Sequence, residues 1–132
     1  MIALDTNVIV RFLVQDDPVQ GARAREIFAA LSPEAPGFIC REVAVETVWV
    51  LDRAYGHTRA EICDAIDALL EAKELVIEAD DRIARAVHAW RAGGAGFADR
   101  MILLAADAHG AELVTFDRKL GALSGARTGK AE

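Results

Sequence analysis

The chain opens with the stretch Met1-Ile-Ala-Leu-Asp-Thr-Asn-Val8. Its short apolar run ends at an acidic residue, and this pattern indicates the fold class. Ile2 to Leu4 is typical of a short buried strand, and Asp5-Thr6-Asn7 offers cap chemistry for the short helix that follows. A strand that leads directly into a helix is the building unit of α/β folds with parallel strands. Asp5 therefore follows the carboxyl end of the first predicted strand.

The rest of the chain repeats this alternation of short apolar strands and helical segments. Further strands are predicted at Phe38–Cys40, Leu75–Ile77 and Leu113–Phe116. Helices are predicted over residues 8–14, 18–30, 41–55, 58–72, 80–91 and 98–109, with a short one near residue 120. The pattern predicts an α/β fold, a three-layer α/β/α sandwich with a mostly parallel central sheet. We expect a single domain over residues 1–132, with a frayed tail from about residue 121.

Composition narrows the class of protein. Hydrophobic residues make up 53% of the 132 residues, which is ample for a core and excludes a disordered chain. The formal charge of −6 argues against a non-specific nucleic-acid coat protein, which would be basic. It does not argue against nucleic-acid chemistry, because an acidic metal site contributes several of these charges and a bound cation reverses the local sign.

Cysteine content and hydropathy predict where the protein resides. Cys40 and Cys63 lie far apart without metal-ligand spacing, so a reduced pair is expected. Asp5 follows the start too closely for the apolar region of a signal peptide. No apolar run reaches the roughly 20 residues that span a bilayer. We therefore expect a soluble, cytoplasmic protein without membrane contact.

Four acidic residues stand at the edges of apolar segments: Asp5, Glu46, Asp99 and Asp117. Asp5 and Asp117 directly follow predicted strands, Asp99 opens a helix that leads into the last strand, and Glu46 interrupts an almost wholly apolar helix. That helix is apolar nearly all round, so it is expected to be buried. In parallel α/β sheets, ligands bind beyond the carboxyl ends of the strands. All four acids are therefore predicted to converge on one sheet edge.

A hard divalent cation is the expected reason for gathering these carboxylates, which are expensive to bury without partners. Oxygen ligands suit Mg²⁺ or Mn²⁺, whereas the isolated histidines and cysteines do not suggest zinc. Such an ion polarises a phosphodiester and activates water for hydrolysis without a covalent enzyme intermediate. No Ser-His-Asp or Cys-His pattern competes for the role.

Each acid also has a structural interpretation that the sequence leaves open. Asp5 could only cap a helix, Asp99 could complement a helix dipole, and Asp117 could form an Asx turn. Glu46 could pair with Arg53 two turns later on the same helix.

Glu42 is a rival to Glu46, since the two lie four residues apart on one helix face. We favour Glu46, because an acid near a helix start, such as Glu42, is ordinarily solvated. Asp107, two turns beyond Asp99 and rotated about the helix, is also expected to be solvated.

Four motifs in order carry a family resemblance: Leu4-Asp-Thr-Asn-Val8, Glu46-Thr-Val-Trp-Val-Leu51, Phe97-Ala-Asp-Arg-Met-Ile-Leu-Leu-Ala-Ala106 and Thr115-Phe-Asp-Arg-Lys-Leu120. Together they span nearly the whole chain. In them the sequence resembles a PIN domain of the VapC toxin type.

The resemblance implies a Mg²⁺- or Mn²⁺-dependent ribonuclease with a parallel-sheet α/β/α fold. It implies metal ligands at Asp5 and Asp99, with Glu46 and Asp117 completing the acidic site. It also implies an RNA substrate, a homodimer, and a cognate antitoxin that inserts a segment into or beside the active site.

Further polar residues beside these acids match the family's motifs. Asn7 and Thr115 match polar positions that orient ligands or water. Arg100 and Arg118 each follow a site acid, and they could contact RNA phosphate or remain solvated.

Other protein classes fit the acids less well. A phosphatase of the haloacid dehalogenase type needs a second Asp where this chain has Asn7. A receiver domain needs a phosphorylatable Asp after a middle strand and a downstream Lys, which the sequence does not provide. Restriction-type nucleases need a Lys beside the acid pair, and no Lys lies near Asp99 or Glu46 in this sequence. A non-catalytic RNA-binding or regulatory domain, with the acids kept for folding, stays open.

Overall fold

The computed structural model describes residues 1–129, and its chain divides into two compact units, Met1–Asp80 and Asp81–Glu132. The first unit contains three strands and four helices: β1 (Ile2–Ala3), α1 (Thr6–Val14), α2 (Pro18–Ala29), β2 (Gly37–Ile39), α3 (Arg41–Arg53), α4 (Arg59–Glu71) and β3 (Leu75–Ile77). Helix α5 (Asp80–Arg91) begins at the boundary. The second unit continues with α6 (Phe97–Ala108), β4 (Leu113–Thr115), α7 (Arg118–Gly121) and β5 (Ala126–Thr128).

Local sequence signals explain where several of these helices begin. Asp17 caps α2 by accepting a hydrogen bond of 2.9 Å from the backbone N–H of Gln20, and Pro18 occupies the first turn, where its missing N–H costs nothing. Thr58 and Glu61 form a capping box at the start of α4. These helix starts agree with the sequence prediction because the capping bonds join residues only three positions apart.

The first unit is built on a three-stranded parallel sheet in the order β1-β2-β3. Gly37 lies in its centre, opposite Ile2 and Leu75. A Cβ atom at Gly37 would lie 2.9 Å from Leu31 Cδ1 and 2.9 Å from Leu4 Cδ1, so any larger residue there would have to displace these leucine side chains.

The core of the first unit consists of apolar side chains that are almost fully buried. The largest fully buried side chains of the unit include one from β2 and one from each of the helices α1, α3 and α4: Ile39, Ile9, Leu51 and Ile62. Helix α1 packs against both α2 and α3. On its α2 side, the rings of Phe12 and Phe28 stack with centroids 3.9 Å apart. These contacts hold the beginning of α1 beside α3.

The second unit contains a two-stranded parallel sheet in which β4 pairs with β5. Helix α7 connects the two strands and contacts both of them. Trp90 of α5 packs near Phe97 at the start of α6, with ring centroids 6.0 Å apart. The chain is therefore an α/β protein with parallel strands, as predicted. Hydrogen bonding arranges the strands in two sheets, whereas the sequence pattern predicts one central sheet.

The expected frayed tail from about residue 121 is wrong for the part of it that the structure describes. Ala126–Thr128 form β5, in register with Leu113–Thr115, and Arg127 pairs with Glu112 at 2.8 Å. The short polar segment has little strand signal of its own, and the ladder with β4 supplies its order. The remainder of the predicted tail, residues 130–132, lies outside the described residues.

Two predictions of burial are also wrong. Ile2 in β1 is 51% exposed, and only Leu4, just beyond the strand, is buried. Helix α3 buries one face rather than its whole circumference, since Trp49 is 59% exposed and Glu46 is exposed. Apolar composition all round a helix does not determine how much of it neighbouring elements cover. None of the helices within residues 1–129 combines the length and apolar composition needed to cross a membrane.

Candidate functional site

Asp5 begins the site in the first unit, where β1 passes into α1. Its backbone is extended, and its Oδ1 accepts a hydrogen bond of 2.8 Å from the backbone N–H of Thr6. The residue is exposed, so its second carboxylate oxygen faces a solvated environment. Asp5 therefore caps a helix, and this cap occupies only one of its two oxygens.

Thr6 joins Asp5 to Glu46 across forty positions of sequence. Thr6 is only 6% exposed, and its hydroxyl donates a short hydrogen bond to Glu46 Oε1. Thr6 therefore donates its backbone N–H to the carboxylate of Asp5 and its hydroxyl to the carboxylate of Glu46. The Thr6–Glu46 bond argues against the alternative of a Glu46–Arg53 pair. Arg53 instead lies 4.0 Å from the carboxylate of Asp52.

A cavity of about 350 Å³ opens where α1 and α3 meet. Both carboxylates line it, together with Asn7 and Arg11 from α1 and Tyr55 from the segment after α3; Thr6, Val10 and Val50 complete the wall. Asn7, predicted from the sequence as a polar neighbour of the acids, thus lies at the same cavity as Asp5 and Glu46. Glu42, the rival of Glu46, is an exposed first-turn residue of α3 and does not line this cavity.

Arg11 and Tyr55 line the cavity but were missed by the sequence analysis. Arg11 Nη1 donates to Asp16 Oδ1 at 2.8 Å and to the Tyr55 hydroxyl at 3.2 Å, and its Nε donates to Gln20 Oε1 at 2.8 Å. Their signal is weak in the sequence: Arg11 lies four residues after Asn7 on one face of α1, whereas its link to Tyr55 is tertiary.

The charges of the Arg11–Asp16 pair support each other. The hydrogen bond to Asp16 raises the pKa of the Arg11 guanidinium above its ordinary value. Desolvation raises the pKa of the Asp16 carboxyl, but hydrogen bonds from Arg11 and Tyr55 outweigh it, so that pKa lies below its ordinary value. Both side chains are therefore charged at neutral pH.

Asp99 lies in the second unit, in the first turn of α6, and is half-buried. A negative charge there complements the helix dipole. The next residue, Arg100, turns back to the glycine-rich loop before the helix: its Nη2 donates to Gly93 O at 2.8 Å and its Nε to Ala95 O at 3.2 Å. Arg100 therefore stabilises this loop, and a role in contacting RNA phosphate is not supported by its hydrogen bonds.

Asp117 lies in the second unit between β4 and α7. Its Oδ1 accepts a hydrogen bond of 2.9 Å from the backbone N–H of Leu120 and so caps α7. Its own N–H donates to the hydroxyl of Thr115 at 3.1 Å. Thr115 is therefore a neighbour of Asp117, as its position in the motif suggested, and both act in the local turn. Arg118 follows as an exposed first residue of α7.

Two of the four predicted acids, Asp5 and Glu46, are brought together within the first unit. Asp99 and Asp117 lie in the second, and the convergence of all four remains a prediction from the sequence. Among residues 1–129, neither unit contains a group of three or more His, Cys, Asp or Glu side chains close enough together to hold a metal ion. Any cation held at Asp5 and Glu46 therefore needs further oxygen ligands.

The donor chemistry at the first-unit cavity fits Mg²⁺ or Mn²⁺. Asp5 and Glu46 each use one carboxylate oxygen in a bond to Thr6, and neither Asp5 Oδ2 nor Glu46 Oε2 has a hydrogen-bond partner among the residues described. Mg²⁺ is commonly bound by one or two carboxylates, with water and substrate phosphate as its other ligands. An exposed pair of oriented carboxylates is such a partial site.

Comparisons with known proteins give a family match and a structural likeness. A family model described as "PIN domain" matches residues 2–126. Among solved structures, the chain resembles the crystal structure of Mycobacterium tuberculosis VapC20, described as a sarcin-ricin loop cleaving toxin. The identity is 20%, the match covers 92% of this chain and 94% of that one, and the TM-score is 0.47. No curated protein sequence gives a significant match.

Proposed function

The chain belongs to the PIN domain family, and from this premise we propose that it is a Mg²⁺- or Mn²⁺-dependent endoribonuclease, the toxic component of a toxin–antitoxin pair. The observation that carries the proposal is the arrangement at the first-unit cavity. Thr6 hydrogen-bonds both Asp5 and Glu46, so that two carboxylates distant in sequence face one solvent-filled space of about 350 Å³.

The residues of the cavity have distinct roles in this proposal. Asp5 and Glu46 hold the cation through the oxygens that Thr6 leaves unpaired, and Thr6 fixes both carboxylates. Asn7 contributes an amide at the cavity wall, where it orients water or a phosphate oxygen. When bound, the ion supplies electrostatic stabilisation of the negative charge that develops on a phosphodiester during hydrolysis.

Asp99 and Asp117 enter the proposal from the sequence motifs. Asp99 is proposed as a further metal ligand, because its carboxylate has no hydrogen-bond or ion-pair partner in the described part of the chain. Asp117 uses one oxygen to cap α7, so we propose that its other oxygen completes the acidic site, with Thr115 holding the backbone of Asp117 in place.

The proposed partners follow from the motif resemblance to VapC-type toxins. We propose a single-stranded or looped RNA as substrate, a cognate antitoxin as the inhibiting partner, and a homodimer as the assembly. Size-exclusion chromatography with light scattering tests the dimer directly, since a monomer at micromolar concentration contradicts it.

The decisive experiment is RNA cleavage by the purified protein and by Asp5→Asn. The wild type should cleave in Mg²⁺ or Mn²⁺, stop when EDTA is added, and inhibit growth when expressed alone. Asp5→Asn should remain folded, because an amide oxygen still accepts the Thr6 N–H, yet it should lose cleavage and toxicity. Undiminished cleavage by the variant, or cleavage indifferent to EDTA, contradicts the metal-dependent mechanism. RNA binding without any cleavage supports the non-catalytic alternative.

Glu42 provides a matched control for Glu46, since both are exposed glutamates on α3. Glu46→Gln should lower cleavage at least by the roughly 10–100-fold that loss of a metal ligand's outer partner costs. Glu42→Gln should leave cleavage within about twofold of the wild type, since an exposed charge away from the cavity contributes little. The reverse order of effects would assign the metal to Glu42.

A further inference from the structure

The guanidinium of Arg11 is half-buried and is held in one orientation by several hydrogen bonds. Three of its five N–H groups are used within the protein: Nε donates to Gln20, and Nη1 donates to Asp16 and to Tyr55. The two N–H groups of Nη2 have no hydrogen-bond partner among residues 1–129. Arg11 therefore presents one free, oriented pair of donors.

These donors lie on a face of α1 that borders two concave surfaces. Asn7 and Arg11, four residues apart, both line the acidic cavity of about 350 Å³ and both line a second groove of about 210 Å³ towards α2. The groove is completed by Val8, Gln20, Arg23, Ala24 and Ile27. A ligand that extends from the acidic cavity into the groove must pass Asn7 and Arg11.

An anion at this point meets the guanidinium of Arg11, which is the one cation among the described residues that line the acidic cavity. Asp5 and Glu46 supply negative charge there, and a bound divalent cation would offset it. A contribution to folding stability alone does not explain why several hydrogen bonds hold the Arg11 guanidinium. The Arg11 and Asp16 side chains are 29% and 42% exposed, and an exposed ion pair contributes little to stability. Fixing a fork of donors in advance instead lowers the entropy cost of binding a phosphate.

We propose that Arg11 is a substrate-binding residue whose Nη2 donates hydrogen bonds to a non-bridging oxygen of an RNA phosphate next to the phosphodiester held at Asp5 and Glu46. Along α1, Arg11 lies six residues after Asp5, which is about 9 Å of helix. The RNA strand therefore runs from the acidic cavity across Asn7 and Arg11 into the groove between α1 and α2. This inference rests on the proposed ribonuclease function.

The test compares steady-state cleavage of a short single-stranded RNA by the wild type and by Arg11→Gln in Mg²⁺. Loss of the contact should raise KM about 10-fold or more and leave kcat within about threefold, because the bond is made equally in the ground and transition states. The dependence of log KM on log salt concentration should become shallower by about 0.7, the value for one lost phosphate contact on a single strand. RNA binding measured by fluorescence anisotropy in EDTA should weaken in parallel.

Two further variants separate phosphate binding from a structural role. Arg25→Gln removes the same charge from an exposed residue that lines neither cavity, and its KM should stay within about twofold of the wild type. Asp16→Asn removes the charge that helps to fix Arg11 but keeps the guanidinium, so its KM should rise much less than that of Arg11→Gln. An equal rise in KM for Asp16→Asn and Arg11→Gln, or an unchanged salt slope for Arg11→Gln, overturns the proposal.

The outcomes also distinguish this inference from the function on which it rests. If the wild type cleaves RNA and Arg11→Gln has a wild-type KM, the Arg11 proposal alone is wrong. If the wild type binds RNA without cleaving it, the anisotropy measurements still decide the role of Arg11. If the wild type neither binds nor cleaves RNA, both proposals are overturned.

Discussion

Replacing Thr6 with Val tests whether the hydroxyl that links α1 to α3 matters for function rather than for folding. The substitution removes one bond only, that from the Thr6 hydroxyl to Glu46. The bond from the Thr6 backbone N–H to Asp5 is retained, since it does not involve the side chain. Thr6→Val therefore releases one carboxylate of the cavity while leaving the other in place.

The expected effect on stability is small for a reason that the burial shows. Glu46 is exposed, so its carboxylate regains water when the bond is lost, and the cost lies near the usual net value of about 0.5–1.5 kcal/mol. Thr6 is only 6% exposed, so the methyl group that replaces its hydroxyl gains burial and offsets part of this cost. We expect the free energy of unfolding to change by less than about 1 kcal/mol.

The expected effect on function is larger. A partner that orients a metal ligand typically contributes about 10–100-fold to metal affinity or activity. Thr6→Val should therefore lose that much in kcat/KM for RNA and bind Mn²⁺ more weakly by isothermal titration calorimetry. Thr6→Ser, which keeps the hydroxyl, should retain most of both. Wild-type cleavage and Mn²⁺ affinity in a folded Thr6→Val protein would refute the view that Thr6 positions Glu46.

Three predictions concern stability and are measured by urea denaturation. Hydrogen bonds from the backbone and side chain of Thr58 hold the pKa of Glu61 below its ordinary value of 4.5, so the wild type should be more stable than Glu61→Gln above about pH 4.5. This difference should disappear as the pH falls through the folded-state pKa, and a pH-independent difference contradicts it. Gly37→Ala should destabilise the fold by about 1–3 kcal/mol, since its Cβ would lie 2.9 Å from two leucine side chains, and an unchanged midpoint would show that they move freely. Thr47→Val should be neutral or stabilising by up to about 1 kcal/mol, because the buried Thr47 hydroxyl has no hydrogen-bond partner within the described chain; a clear loss of stability would reveal a missed partner.

Helix starts and strand positions were predictable because the forces that determine them act over a few residues. Asp5, Asp17 and Thr58 each cap the helix that follows, with bonds that reach no further than three residues along the chain. The strand at Leu75–Ile77 was predicted to the residue, since its apolar run is bounded by polar residues. Family membership likewise followed from short motifs whose order in the chain can be read directly.

Exposure and long-range pairing were predicted less well. Glu46 looked expensive to bury because its helical neighbours are apolar, yet α3 leaves that side exposed. The described end of the chain looked unstructured because it is small and polar, yet Ala126–Thr128 pair with β4. The exposure of Glu46 and the pairing of Ala126–Thr128 both depend on which other helix or strand packs against the segment. Residue type alone indicates only how readily a side chain is buried.

The α/β class, the helix caps and the positions of Asp5 and Asp117 after strands could be read from the sequence. Three features became visible only in the folded chain: Thr6 holds Glu46, Glu42 does not line the cavity, and Arg11 is held by Asp16, Gln20 and Tyr55. The physical reason is the range of the interactions. A cap is a bond between near neighbours, whereas a bond across forty residues exists only after core packing has brought α1 against α3.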